Sequence, residues 1–285
     1  RLNIEDVVGE YVQLKRAGRN FKGLSPFTSE RTPSFIVSPE KGIWHDFSSG
    51  KGGDIFSFVM EVEGMDFRQA LEFLARKAGV ELAMYESSGG NDFAKKKQRL
   101  LEASELAARY FQQSLLKNHH ALEYVFKKRR LSKTIVQDFR IGYAPDDGRG
   151  LMQFLSKKGF SKAELAEAGL SNRFGGDLFR GRMTIPLMDS GGQVIGFTAR
   201  ILADDPKAPK YLNTPQTLLY DKSRHVFGLH LAKEAIRKAD YAVVVEGNLD
   251  VVSSHQAGVR QVVATAGTAM TEQHMRALTR LSQHV

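Results

Sequence analysis

Tyr241-Ala-Val-Val-Val-Glu246-Gly247-Asn-Leu-Asp250 is the strongest structural signal in the chain. Its apolar run, 242–245, reads as a strand buried on both faces, as in a parallel sheet. Such a strand delivers Glu246 to its C-terminal end, the edge where open α/β sheets carry their chemistry. Gly247 lets the backbone turn tightly, and the residues after it read as a helix that brings Asp250 round on its first turn. Two carboxylates on a strand–turn–helix are the start of a Mg2+ site; the competing reading is a helix N-terminus at which Asp250 only complements the dipole. The surrounding pattern alternates: helix from 228, strand 241–245, helix 248–257, strand 261–265, helix 271–282. That is a βαβα unit opening a parallel sheet. Thr265-Ala-Gly267-Thr268, after the second strand, is either a plain turn or a small loop approaching a phosphate or metal-bound water.

Upstream, Asn3 is placed to cap a short helix carrying Ile4, Val7, Val8, Tyr11 and Val12 at helical spacing. Segments 19–24, 33–38 and 42–47 are short, aromatic-rich and divided by Gly and Pro, which predicts small antiparallel strands. Helices follow at 54–63 and 66–78, the second capped by Asp66 and closed by Gly79. Glu86-Ser-Ser-Gly-Gly-Asn-Asp92 has the composition of a flexible linker. A long helix over 93–117 comes next, then helices at 119–130, 133–139, 150–158 and 161–168. Strands near 182–189 and 194–202 are joined by the turn Ser190-Gly191-Gly192. The expected divisions are 1–84, a linker 85–92, 93–240 and 241–285, in a mixed α+β architecture.

The chain has 285 residues, 42% of them apolar, enough for about two domains with cores. No window approaches the ~18 apolar residues of a membrane span and the N-terminus is unlike a signal peptide, so a cytoplasmic location is expected. Zero cysteines exclude disulfides and thiolate metal sites. The net charge of +9 is uneven: 1–92 carry 11 basic and 14 acidic side chains, 93–240 carry 27 and 15, and 241–285 carry three of each. A positive field concentrated in the middle segment points to a polyanion partner. Arg1 in place of Met and the end at Val285 read as a partial sequence.

Arg180, Arg182, Arg200, Lys210, Tyr211, Asn213, Lys222 and Arg224 fall within one compact β region. Strands and turns can project such groups into a groove where the cations neutralise phosphates and Tyr211 or Asn213 adds stacking or hydrogen bonds. A solvated sheet face with alternating charges accounts for them equally well. Lys95-Lys96-Lys97 and Lys127-Lys128-Arg129-Arg130 sit on helices and read as solvated faces. Ser48-Ser-Gly50-Lys51-Gly-Gly53 lacks phosphate-loop spacing and reads as a turn. The eight histidines show no metal-ligand spacing.

Asn20-Phe-Lys-Gly-Leu-Ser25-Pro-Phe-Thr28, Arg31-Thr-Pro-Ser-Phe35, Trp44-His-Asp46-Phe-Ser-Ser49-Gly-Lys-Gly-Gly53, Pro209-Lys-Tyr-Leu-Asn213-Thr-Pro215 and Val245-Glu246-Gly-Asn-Leu-Asp250-Val together resemble bacterial DNA primase of the DnaG type. The likeness runs in order over essentially the whole chain. It implies a zinc-ribbon module at 1–84, the basic N-terminal subdomain of an RNA-polymerase core at 93–240, and the start of a toprim domain at 241–285. The implied activity is synthesis of short RNA primers from nucleoside triphosphates on single-stranded DNA, by a nucleotidyltransferase acting in replication.

By this resemblance Glu246 and Asp250 match the first acidic positions of a Mg2+ (or Mn2+) site whose further Asp-x-Asp carboxylates lie downstream. Arg180, Arg182, Arg200, Lys210, Tyr211, Asn213 and Lys222 match the template- or nucleotide-binding surface. Ser25, Thr28, Asp46 and Ser49 stand where the family has Cys, His, Cys and Cys as zinc ligands. A hydroxyl is a poor substitute for a thiolate there, so the ribbon is expected to be metal-free and held by an apolar core instead. Implied partners are single-stranded DNA, nucleoside triphosphates, the RNA–DNA hybrid product and a replicative helicase bound through a region beyond this chain; a monomer off the membrane is expected. Two other readings are a non-catalytic single-strand-binding relative and the primase half of a phage-type primase–helicase.

Overall fold

The computed structural model describes residues 2–80, 88–203, 205–206, 208–282 and 284–285, with side chains from 92 onward in the second stretch. The N-terminal part is a five-stranded antiparallel sheet in the order β1-β2-β3-β4-β5, with β1 Lys15–Ala17, β2 Asn20–Gly23, β3 Phe35–Ser38, β4 Ile43–Asp46 and β5 Gly52–Gly53. Helices α1 Ile4–Gly9 and α2 Ile55–Glu63 pack on it, and α3 Phe67–Lys77 packs on α2. Strand alternation places Phe35, Val37, Trp44 and Asp46 inward, and the Phe35 and Trp44 rings stack at 5.3 Å. Phe58 from α2 meets Trp44 edge-on at 5.6 Å. Asp66 caps α3 in a reciprocal capping box with Gln69, as its position predicts. Asn3 does not cap α1: its amide donates to the Asp6 carboxylate at 3.0 Å, and its side chain accepts nothing from the helix backbone.

Strands β1 and β5 carry no sequence pattern that marks them, since Lys15-Arg16-Ala17 is wholly exposed and Gly52-Gly53 has no side chains to alternate. Residues 81–87 lie outside the described residues, and with them 85–87 of the expected linker. Residues 88–92, the remainder of that linker, belong instead to the 30-residue helix α4, Ser88–Lys117. Extending a helix costs far less than starting one, so the turns ahead of the apolar face can follow it despite their composition.

Helix α4 lies on a four-stranded antiparallel sheet in the order β6-β7-β8-β9, formed by Gly142–Ala144, Arg182–Met188, Val194–Ile201 and Tyr211–Asn213. At Gly142 the helix comes so close that a Cβ would sit 2.6 Å from the Phe111 carbonyl carbon. Every residue of β7 is buried because both faces are covered. One face carries Phe197 and Ala199 against α4, α7 (Gly150–Lys157) and α8 (Lys162–Glu167); the other carries Met183, Ile185 and Leu187 against Phe139, Phe227 and Val251. The helix expected over 119–130 is divided: α5 ends at Glu123, and Tyr124–Lys128 form a π-turn before α6, Lys133–Asp138.

The C-terminal part is the expected alternation: α9 Leu229–Ala239, β10 Val243–Val245, α10 Asn248–Gln256, β11 Val262–Ala264 and α11 Glu272–Thr279. Strands β10 and β11 are parallel, with Val243 opposite Val262 and Val245 opposite Ala264. The expectation of double burial fails for β10, whose Val243 is 37% exposed; the fully buried strand of the pair is β11. The cause is edge position: β11 pairs with β10 on one side and exchanges two backbone hydrogen bonds with Phe227 on the other, while β10 pairs only with β11 among the described residues.

Candidate nucleic-acid interface and acidic corner

Sheet register sorts the candidate cations. Arg200 pairs with Met183 and with Tyr211, and Thr198 pairs with Asn213, so Arg200, Tyr211 and Asn213 share the face that packs toward α10. There the Arg200 guanidinium lies 5.0 Å from the Tyr211 ring centroid and also bonds the Tyr211 hydroxyl. Its Nε donates to the Tyr124 hydroxyl at 2.8 Å. Arg129 donates to the same oxygen from Nε and Nη2, at 3.1 and 3.0 Å. Neither guanidinium has a carboxylate partner among the described residues, so two fixed positive charges converge on one phenol with their charge unneutralised.

Arg129 is the functional candidate that sequence reasoning missed, having been read as part of a solvated helix face. The signal was hidden in the π-turn: the Arg129 N–H bonds the Tyr124 carbonyl at 2.9 Å, an i→i+5 closure that aligns residues five apart. An α-helical wheel separates them.

Arg182 lies one register step from Arg200 and therefore faces α4; it is 5% exposed, and its Nη1 donates to the Lys210 carbonyl at 3.4 Å. Burial lowers its pKa from the ordinary guanidinium value. Arg180 stands at the β6–α7 loop beside Asp146, 3.7 Å away. Lys210 is exposed at the start of β9. Lys222 sits on a loop tied to α11, its carbonyl accepting the His274 Nε2–H at 3.0 Å. The set expected to form one groove is thus divided: Arg200, Tyr211 and Asn213 come together, Arg180 and Arg182 do not join them, and Lys222 is on a separate loop.

The acidic corner abuts the Arg200 face directly. Met183, Ile185, Thr198, Arg200 and Tyr211 line a shallow cleft closed by Asn248 and Leu249 of the first turn of α10. Glu246 and Asp250 flank that turn, both exposed, and neither carboxylate has a hydrogen-bond or ion-pair partner among the described residues. Gly247 is not needed for an unusual turn, since its φ of −107° suits any residue. A Cβ there would sit 2.6 Å from Asp250 Oδ2, so a side chain at this position would push that exposed carboxylate aside. Asn213 Nδ2 reaches the Ala266 carbonyl at 3.5 Å, which brings the loop after β11 to the same edge. Within that loop the Thr265 and Thr268 hydroxyls donate to each other's carbonyls at 2.6 and 2.8 Å, so their protons are committed to holding it closed.

At the other end of the chain, Asp46 is completely buried in the five-stranded sheet. Its Oδ2 accepts from the Ser25 hydroxyl at 2.7 Å and from the Ser49 hydroxyl, and Oδ1 accepts from the Ser48 N–H and hydroxyl at 3.2 and 2.9 Å. Burial acts to raise its pKa, but the serine hydrogen bonds outweigh it and hold the carboxyl below the usual range.

Comparison with known proteins adds the family. Residues 1–89 match the CHC2 zinc finger model of DnaG, 110–233 the N-terminal domain of the DNA primase catalytic core, and 243–285 a Toprim-like model. The crystal structure of Aquifex aeolicus primase (zinc-binding and RNA polymerase domains) superposes over 99% of this chain and 68% of its own length, with 35% identity and a TM-score of 0.62. The chain belongs to the bacterial DNA primase family of the DnaG type. DNA primases of Streptomyces coelicolor and Geobacillus stearothermophilus are 43% and 41% identical over 98% and 97% of this chain, and 44% and 48% of their own lengths. The chain therefore spans about half the length of these relatives. A DnaG primase catalytic domain solved bound to single-stranded DNA matches 67% of this chain and 63% of its own, at 34% identity and a TM-score of 0.62.

The family's two metals fare differently. Glu246 and Asp250 are hard, unpartnered oxygen donors beside a glycine cradle, which suits Mg2+, although no group of three or more acidic or histidine side chains is assembled among the described residues. Zinc does not fit. The chain has no cysteine, and the hydroxyls of Ser25 and Ser49 direct their protons at Asp46 rather than presenting lone pairs to a metal.

Proposed function

We propose that this chain is the template-handling part of a DNA primase, a nucleotidyltransferase that makes short RNA primers on single-stranded DNA from nucleoside triphosphates in the bacterial cytoplasm. The single observation that carries the reading is the cleft where the first turn of α10, flanked by Glu246 and Asp250, closes on Arg200 and Tyr211. Arg129 and Arg200 are pre-oriented by Tyr124 to receive backbone phosphates, Tyr211 offers a ring for a base, and exposed Lys210 extends the positive track. Arg180 and Lys222 are outlying contacts, and Arg182 supports the sheet from its far side. The proposed divisions are a ribbon at 1–84, a basic subdomain that opens with α4 and runs to 240, and an opening toprim segment from 241.

Glu246 and Asp250 are the side chains that would hold Mg2+ or Mn2+ beside this track. Bound there, the ion supplies charge neutralisation for the triphosphate and activation of a 3′-hydroxyl. The chain's own contribution is to keep two carboxylates free of competing partners and Gly247 without a side chain. A replicative helicase is proposed as partner of the longer protein. Titration of a labelled single-stranded oligonucleotide, followed by anisotropy at several salt concentrations, tests the proposal. Binding should weaken linearly in log–log form with salt, and Glu246→Gln/Asp250→Asn should remove Mn2+ binding, read by electron paramagnetic resonance, without weakening DNA binding. Absence of salt-dependent binding to the oligonucleotide contradicts the reading.

A further inference from the structure

The corner of the five-stranded sheet where the family holds zinc contains a different cross-link. In relatives described by a CHC2 zinc finger model, thiolates and an imidazole converge on a metal. Here a single buried carboxylate receives the donors instead. Asp46 Oδ2 takes the hydroxyl protons of Ser25 and Ser49, and Oδ1 takes the N–H and hydroxyl of Ser48. The Ser48 hydroxyl has only one proton, already given to Asp46, so the Thr28 hydroxyl 2.6 Å away is the donor to Ser48. All four positions matching the family's ligands, Ser25, Thr28, Asp46 and Ser49, therefore belong to one hydrogen-bonded unit.

The unit extends into the chain on both sides. The Ser25 hydroxyl accepts the N–H groups of Phe27 and Thr28 at 3.0 and 3.1 Å, closing the first turn. Glu30 accepts the N–H groups of Ser25 and Ser34 at 2.7 and 3.0 Å and the Ser34 hydroxyl at 2.6 Å. The Ser34 oxygen stands 3.3 Å from Asp46 Oδ1, but its one proton goes to Glu30, so segment 34 is tied in through Glu30. Segments 25–28, 34 and 46–49 are thereby tied to one another, as a tetrahedral metal would tie them.

We propose that Asp46 is the keystone of a metal-free ribbon, its buried carboxylate doing through serine hydroxyls the cross-linking that zinc does through thiolates in the family. Two features make the exchange physically workable. An ionised carboxylate offers about four acceptor positions and makes charge-assisted bonds stronger than neutral ones. The neighbouring rings of Phe27, Phe35, Trp44 and Phe58, with centroids 5.3 to 6.2 Å apart, surround this corner with packed apolar surface. With no thiolate in the chain, neither chelators nor thiol oxidants have a target at this corner. The inference concerns the ribbon's architecture and stands whether or not the chain makes primers.

Trp44 is the single tryptophan and lies in this module, so its fluorescence reports the ribbon's unfolding within the intact chain. The test combines elemental analysis of purified protein with Trp44 melts in buffer, in 1,10-phenanthroline, in the thiol oxidant diamide and with added Zn2+. The expected result is less than about 0.1 zinc per chain, against one for a structural finger, and the same midpoint in all four conditions. Asp46→Asn, which places an amide donor against the serine donors, should lower the midpoint by about 5 to 10 °C. Ser25→Ala and Ser49→Ala should each lower it by less, and their effects should shrink in the Asp46→Asn background. If Asp46→Asn does not fold, Ser25→Ala, Ser49→Ala and their double variant give the same coupling through the shared Oδ2. Stoichiometric zinc, a midpoint lowered by chelator or diamide or raised by Zn2+, or additive serine effects would overturn the proposal.

Discussion

Arg182 and Arg200 occupy neighbouring strands one register step apart, Arg182 opposite Ile201 and Arg200 opposite Met183, and so project from opposite faces of a single sheet. Two arginines that look equivalent in sequence thus have different tasks. Arg200→Ala should weaken single-stranded DNA binding and lower the slope of log affinity against log salt by about 0.7, the loss of one phosphate contact. Arg182→Met should leave the slope unchanged, because the side chain is buried beneath the Lys210 carbonyl. Anisotropy titrations of both variants distinguish these outcomes; equal slope losses would place both side chains on the DNA.

Tyr124→Phe deletes one oxygen while keeping the buried ring. Arg129 and Arg200 then lose their common anchor, and hydrogen bonds to charged groups contribute about 1.5–3 kcal/mol each. DNA affinity should fall several-fold, and the thermal midpoint should fall as well, because the bonds that orient the two guanidiniums also tie the π-turn to β8. A titration paired with a melt checks this.

Lys210→Ala should weaken binding to all single-stranded sequences alike and lower the salt slope by about 0.7. The side chain is exposed and without an ion-pair partner among the described residues, so stability should not change. An unchanged slope would remove Lys210 from the track.

A buried ion pair joins the N-terminal part to α9: Lys233 donates to Glu63, which also accepts the Tyr11 hydroxyl at 2.6 Å. Glu63→Ala leaves a buried ammonium without its partner and should cost about 3–5 kcal/mol, whereas Glu63→Leu/Lys233→Met should cost far less. Urea denaturation of the two variants measures the difference.

Acid should destabilise the chain early. Burial, with smaller contributions from His230 and His274, lowers the pKa of His225 to about 3, and burial, with His255 adding, lowers His230 to about 4. Both remain neutral in the folded chain at pH 5, whereas in the unfolded chain they bind protons below about 6.5. The unfolded state then holds more protons, so stability is complete above pH 6.5 and declines as pH falls, by about 1.4 kcal/mol per pH unit for each histidine. Urea midpoints between pH 7 and 4.5 should show this slope, and His230→Leu should reduce it.

Much of this organisation is legible in the residues. The run Ala242–Val245 followed by Glu246 announces the parallel pair and its acidic end, and Asp66 announces α3. Burial of β10 was misjudged because a run of valines does not say how many neighbours a strand has. The linker residues 88–92 read as flexible because composition carries no information about the helix that follows them. The split of Arg182 from Arg200 rests on pairing register, and the recruitment of Arg129 rests on one extra backbone residue in a π-turn; neither is encoded in local spacing. At the ribbon, the missing thiolates are plain from Ser25, Thr28, Asp46 and Ser49, but the convergence of serine protons on Asp46 requires two distant segments to be seen together.

The central claim is that a single strand of DNA runs over Arg200 and Tyr211 beside Glu246 and Asp250. Photo-crosslinking an oligonucleotide that carries 5-bromodeoxyuridine, with the modified residue located by mass spectrometry, tests this most directly. The predicted adduct is on Tyr211, lost in Tyr211→Ala and reduced in Arg200→Ala. Adducts confined to the lysines of 95–97 on α4, with Tyr211 unmodified, would contradict it.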